Sequence, residues 1–298
     1  MLNRQGMVLK SVGTNVLEYT VPAGKSMRIR DIMYRTAAAA AEDISITVDR
    51  KLVMQFVAAS GMYLLAERPS AGIFSTYRVL KAAGIDLDIP IEAGQVLNIT
   101  APGTNNYMEI VYDLYDEGDV KAEEPNGSKA DKYTLLQVIS NSGVLAAAGD
   151  LALDRSDTNA AFPNFPAGAV VPAKHKMILR GLFGAPASKG TGTANGEYTT
   201  FLKFLKDRED IFDSALVGID FLGDATFTEA SVDNTTIMSR LLRPFAYVQA
   251  GLIMFDNPIE FDSGSELNVF ATIARTGAGG DFVAGDVKLG LVFDVLRV

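Results

Sequence analysis

The chain has 298 residues, 48% of them hydrophobic and 21% charged, enough apolar material for a sizeable core and a composition that excludes disorder and coiled coils. Its 27 Lys and Arg against 36 Asp and Glu give a formal charge of −9, a sign that disfavours a protein whose main task is gripping nucleic-acid phosphates. The absence of cysteine excludes disulfides, thiolate metal sites and cysteine nucleophiles, and a single histidine removes most imidazole chemistry.

Along the chain, most segments read as short strands. The first 25 residues lack the apolar run and cleavage site of a signal peptide, so the protein is expected to fold where it is made. Residues 20–34 (TVPAGKSMRIRDIMY) read as a turn leading into an apolar-alternating strand. Pro22 sits just before that strand, where its missing N–H costs no ladder bond, and Gly24 supplies the tight turn. Residues 36–42 (TAAAAAE) favour a helix by propensity, yet only one or two turns of it, and equally suit a loop. In 43–56 (DISITVDRKLVMQF), Ile44, Ile46 and Val48 alternate with Ser45, Thr47 and Asp49, the period of a half-buried strand, and Asp49-Arg50-Lys51 turns into a second strand. Residues 85–91 (IDLDIPI) alternate as cleanly. Residues 95–100 and 107–115 follow as strands, separated by the turn-forming PGTNN of 102–106.

At 116–132 the apolar rhythm stops and DEGDVKAEEPNGSKADK reads as a linker. Beyond it, residues 231–242 (SVDNTTIMSRLL) are a second helix candidate, with Ser231 or Asp233 as N-cap. The longest apolar stretch, 241–255, is broken by Arg243 and Pro244 and is too short to span a bilayer as a helix.

Four segments recur in the same order on either side of the linker. Val21-Pro22-Ala23, Met27 and Arg30 match Val171-Pro172-Ala173, Met177 and Arg180. Asp49-Arg50 matches Asp207-Arg208. A turn at Pro90-Ile91-Glu92, followed by Leu97-Asn98, matches Pro258-Ile259-Glu260 followed by Leu267-Asn268. Finally IVYDLY at 110–115 matches LVFDVL at 291–296. The offsets increase along the chain, as longer loops in the second copy would produce, notably 187–197 and 226–238. The predicted fold is all-β: two tandem jelly-roll β-barrels related by internal duplication, with short helices in loops. The domains are expected at 1–117 and 133–298, joined by the linker 118–132.

No catalytic, cofactor-binding or metal-ligating residue is assigned. His175, in the polar VPAKHK turn where the first copy has Lys25, reads as solvated or structural, since the metal site of a duplicated cupin barrel needs several histidines. The glycine-rich KGTGTANG of 189–196 has neither dinucleotide nor Walker spacing and reads as a surface loop. Asp154, Asp157, Asp207, Glu209 and Asp210 offer oxygen ligands without the EF-hand arrangement and read as solvated turns.

The tandem copies, the length and the VPAGKSMRIRDI-type opening strand together resemble the double jelly-roll major capsid proteins of tailless icosahedral viruses, the lineage of adenovirus hexon and its relatives in membrane-containing bacterial and archaeal viruses. The resemblance covers nearly the whole chain and is architectural. It implies two barrels side by side, roughly normal to the shell, and three copies in a pseudo-hexagonal capsomer. It further implies a place in the virion after synthesis in the host cytoplasm, with neighbouring capsomers, penton and minor capsid proteins and an internal lipid membrane as partners. It implies no cofactor and no sequence-specific nucleic-acid contact. Longer second-copy loops would form the outer towers. Two other classes stay open: a receptor- or glycan-binding appendage protein, for which Phe162, Phe165, Tyr198 and Phe201 form the aromatic cluster to test, and an enzyme on duplicated barrels.

Overall fold

The computed structural model describes residues 5–12, 16–35, 42–59, 62–63, 74–75, 89–100, 107–116, 132–143, 147–155, 170–183, 188–190, 196–212, 219–220, 252–276, 284 and 287–297. Before the linker run lie β1 (Gln5–Val12), β2 (Val16–Thr20), β3 (Lys25–Arg35), β4 (Glu42–Val48), β5 (Lys51–Ala59), β6 (Met62–Tyr63), β7 (Phe74–Ser75), β8 (Ile89–Ile91), β9 (Val96–Thr100) and β10 (Tyr107–Asp116). After it come β11 (Lys132–Asn141), β12 (Gly149–Arg155), β13 (His175–Phe183), β14 (Ser188–Gly190), β15 (Gly196–Lys206), β16 (Glu209–Phe212), β17 (Ile219–Asp220), β18 (Leu252–Phe261), β19 (Leu267–Thr276) and β20 (Lys288–Arg297). The fold is all-β, and no helix occurs among the described residues. Of the two helix candidates, 36–41 and 231–242 lie outside the described residues, and Glu42 opens β4.

The same strand order occurs twice. In the first half β1, β10, β3 and β8 form one sheet and β2, β9, β4 and β5 the other. In the second half β11, β20, β13 and β18 correspond to the former, and β12, β19, β15 and β16 to the latter. Pairing the last long strand between the first and third, with the hairpin partners in the facing sheet, is the jelly-roll arrangement. Period-2 alternation does the sorting: Ile44, Ile46 and Val48 are buried inward while Ser45 and Thr47 are half-buried on the other face. One apolar cluster fills the first half and a second cluster the other.

Turns and bulges repeat at the same register. Asp49 and Arg50 both lie in the left-handed region (φ 49° and 65°), as do Asp207 and Arg208 (53° and 71°), in two-residue hairpin turns of the kind that needs positive φ at both positions. Asp49 Oδ1 accepts a 2.9 Å hydrogen bond from Val96 N, and Asp207 Oδ1 one of the same length from Glu266 N, so each aspartate ties its hairpin to the turn before β9 or β19. At the first turn, Lys25 N donates to Pro22 O and His175 N to Pro172 O, with Gly24 at φ 75° and Lys174 at 63°. The second half has the backbone of the glycine turn without the glycine.

Two sequence expectations are corrected. Pro90-Ile91 and Pro258-Ile259-Glu260 are strand residues, and the turns follow at 92–95 and 262–265. Their alignment also slips by two: Met27 faces Ile91 and Met177 faces Phe261, so Ile91 corresponds to Phe261 rather than Ile259. A two-residue slip preserves the inward face, which is why the apolar pattern did not betray it. Pro90 is tolerated because β8 is an edge strand, paired only with β3 among the described residues. Apart from the two-residue Asp-Arg hairpins, which are equal, the connections are longer in the second half with one exception. Residues 76–88 separate β7 from β8, whereas β18 runs through its own break from Met254 to Ile259. Strand pairing runs to Asp116 and resumes at Lys132, and residues 117–131 of the expected linker lie outside the described residues.

Inside the first half Tyr112 is fully buried, its ring 5.7 Å from that of Tyr19. Burial, reinforced by a hydrogen bond with Tyr19, pushes its hydroxyl well above the ordinary tyrosine value of 10. The folded state therefore holds this proton more tightly than the unfolded chain. Its contribution is complete below pH 10 and is lost as pH rises from there toward the raised value. Denaturation curves between pH 8 and about 11.5 should show stability falling above pH 10, with a shallower fall in Tyr112→Phe. A second expectation concerns the left-handed lysine: Lys174→Gly should stabilise by about 1 kcal/mol in urea unfolding, and Gly24→Ala should destabilise by a similar amount.

Candidate functional site

A β-bulge at the same place in each half carries the main polar feature. Between β3 and β10 the register jumps so that Ile29 faces Tyr112 and Asp31 faces Val111, leaving Arg30 as the extra residue. Between β13 and β20, Leu179 faces Phe293 and Gly181 faces Val292, leaving Arg180 extra. A bulge re-aims its side chain and increases local twist. Here it sends each arginine across to an aspartate of the neighbouring strand.

Arg30 Nε donates to Asp113 Oδ2, and Arg30 Nη2 donates to Tyr115 Oη at 2.7 Å. Asp113 and Tyr115 are only 4% and 7% exposed, while the arginine side chain is 38% exposed. Partial burial lowers the Arg30 pKa, but the hydrogen bonds to Asp113 and Tyr115 outweigh it and the group is held above its ordinary range. In the second half Arg180 Nη1 donates to Asp294 Oδ2 at 2.8 Å, and Thr134 Oγ1 donates to Oδ1 at 3.1 Å. Asp294 is 5% exposed. The ion pair is thus repeated, with the supporting hydroxyl drawn from β10 in one half and β11 in the other.

Both pairs lie on the outer face of their sheet, and the two faces differ in what covers them. The second is packed against the first half of the chain: Leu136, Val138 and Val292 are fully buried and belong to the first half's apolar cluster, with Met254 packed beside them. Leu52 of β5 reciprocates by joining the second cluster. At this seam β5 runs parallel to β11, Met54 opposite Leu136, and buried Gln55 Oε1 accepts a 3.1 Å hydrogen bond from Val138 N. The seam fuses fifteen strands into one hydrogen-bonded system. In the first half, the position equivalent to Val292 is Val111, which is only half-buried.

The residues weighed from sequence lie elsewhere. His175 is the first residue of β13, paired with Arg297, its Nδ1 3.0 Å from Ala173 O. Asp207 is committed to the β19 turn, and Asp154 Oδ2 accepts from Ser142 Oγ at 3.2 Å. Glu209 and Asp210 are exposed on β16, and among the described residues no group of three or more acids or imidazoles converges as a metal site would require. Of the glycine-rich run, 189–190 pair with Glu197 and Gly196 in a hairpin, and 191–195 lie outside the described residues. Asp157, Phe162 and Phe165 also lie outside them. Tyr198 and Phe201 stand on β15 opposite Ala274 and Thr272. Sequence reasoning matched Arg30 with Arg180 and Asp113 with Asp294 but did not pair them. The available signal was two charges retained at matched places in otherwise apolar strands.

No protein-family model and no curated protein matches the sequence. Among solved structures, the chain is similar to one in the atomic structure of Sulfolobus turreted icosahedral virus, at 8% identity over 99% of this chain and 60% of that chain, with a TM-score of 0.24. The chain therefore spans less than two thirds of that neighbour, and the architecture described above rests on strand pairing rather than on this likeness.

Removing either arginine would take a charged hydrogen-bond donor away from a nearly buried carboxylate. Arg30→Leu and Arg180→Leu should each cost about 2 kcal/mol in chemical denaturation. Pairing Arg30→Leu with Asp113→Asn should recover part of that loss in a double-mutant cycle, because no buried charge then remains.

Proposed function

We propose that this chain is a major capsid protein of the double jelly-roll kind, its two halves descended from one duplicated barrel, that assembles as a trimer into pseudo-hexagonal capsomers of an icosahedral shell. The observation that carries the reading is the repetition of one eight-strand order, with its bulges, hairpin turns and ion pair, in two halves joined side by side through a buried seam. Two similar barrels per chain let three chains approximate sixfold symmetry, and such a ring can tile a surface with similar contacts at every edge. Long connections concentrated in the second half suit projections on one side of such a tile. A net charge of −9 suits a shell that does not hold its genome by direct phosphate contact.

Light scattering on the purified protein should give three times the 31.9 kDa chain mass, and electron microscopy should show rings of hexagonal outline or closed shells. A protein that stays monomeric at every concentration and binds glycans would sink the assignment.

A further inference from the structure

Each edge of the seam inside the chain has a counterpart in the other half that is unpaired among the described residues. Register alignment makes β16 the equivalent of β5, since Ile46 faces Met54 and Phe204 faces Phe212, with a bulge at Val53 in one and Ile211 in the other. It makes β1 the equivalent of β11: Val8 faces Val111 as Leu136 faces Val292. Inside the chain, β5 and β11 meet at their outer edges in one parallel pair, Met54 with Leu136. Among the described residues β1 pairs only with β10, and β16 only with β15, so the corresponding outer edges carry no ladder. Open edges of this kind template the addition of another strand.

From this equivalence we infer that β16 of one copy docks parallel to β1 of a second copy, repeating between chains the joint that β5 and β11 make within one, with Phe212 opposite Val8. The occupant is a second copy because the chain itself displays the complementary edge, in the same register, already engaged once. A joint between unlike edges is head-to-tail, so it propagates until the rotation per joint closes a ring. The closing number, three chains, rests on the capsomer reading above; the joint itself does not. The joint would cover the half-buried Val111 as the internal seam covers Val292. It would also be more polar than the seam, since buried Leu52 is replaced at the equivalent position by exposed Asp210. That polarity keeps the free edge soluble before assembly.

The native absence of cysteine makes the test direct. Val8→Cys and Phe212→Cys are made singly and together in the full chain, with Gly6→Cys and Asp210→Cys as a second pair two residues along. Met54→Cys with Leu136→Cys is the intrachain control. Oxidation of the Val8→Cys/Phe212→Cys protein should give covalent dimers and a closed trimer on a non-reducing gel. Mixing the two single variants should give mixed dimers on the order of 100-fold faster than either variant alone dimerises, because seated thiols meet at about 1 mM effective concentration rather than the ~10 μM of free encounter. Native trimers in which neither pair crosslinks would overturn the joint and leave the capsomer reading standing. Rapid disulfide dimerisation of the Val8→Cys single variant with itself, outpacing the mixed reaction, would overturn it as an isologous contact. A chain that never associates would overturn both.

Discussion

Each half of the molecule depends on its last strand. β10 pairs with β1 on one side and β3 on the other, and β20 likewise with β11 and β13, so neither sheet exists until the end of its half has been made. These pairings join segments far apart in the chain, from Arg35 with Tyr107 at the nearest to Lys132 with Leu296 at the farthest. The loop-closure entropy they cost is recovered only when the facing sheet closes over the apolar side chains. β20 shows the consequence most clearly: Leu291, Phe293 and Val295 fill the second core while Val292 fills the seam, so the strand is buried on both faces. The bulge opposite that strand recurs in the first half, where the outer face has no such cover among the described residues. A charged side chain there can be accommodated only by turning it outward toward a partner, and Asp294 provides one.

The halves are alike in topology and unlike in environment. The outer sheet face of the second is sealed by the first, which makes its Leu136, Val138 and Val292 interior residues. Sealing also supplies a polar contact, since Gln55 caps a β11 amide at the seam, whereas on the opposite, inward face of β11, between Leu135 and Ile139, the nearly fully buried Gln137 has neither end of its amide bonded among the described residues. Leu9 occupies the equivalent position in β1, so that buried amide belongs to the second half alone. The equivalent face of the first half has no such cover among the described residues. This asymmetry gives two halves of one topology different surroundings: Val292 is fully buried and its equivalent Val111 half-buried.

Shared backbone geometry and shared chemistry part company at the turns. The Asp-Arg hairpins keep residue type and conformation together, since the aspartate both tolerates positive φ and accepts the amide that orders the next turn. The turn before β3 and β13 keeps only the conformation. Lysine replaces glycine at a strained φ because the flanking strands, each locked into a sheet, over-determine the path.

Much of the secondary structure was legible from residues alone: alternation at 43–48, the Asp-Arg and Pro-Ala turns, and the apolar runs of β10 and β20 define strands through local sterics and period. The recurrence of matched segments was also visible there, including both members of each ion pair. The alignment at Pro90 and Pro258 was not, because a slip of two leaves the inward face unchanged and only hydrogen-bond register distinguishes the alternatives. Nor could sequence show that Arg30 and Arg180 are bulge residues, that Asp113 and Asp294 are their partners, or that Leu136 and Val138 face the other half instead of their own core. All of those depend on which strands become neighbours across long separations, and a linear pattern records which face of a strand is apolar without recording what lies opposite it.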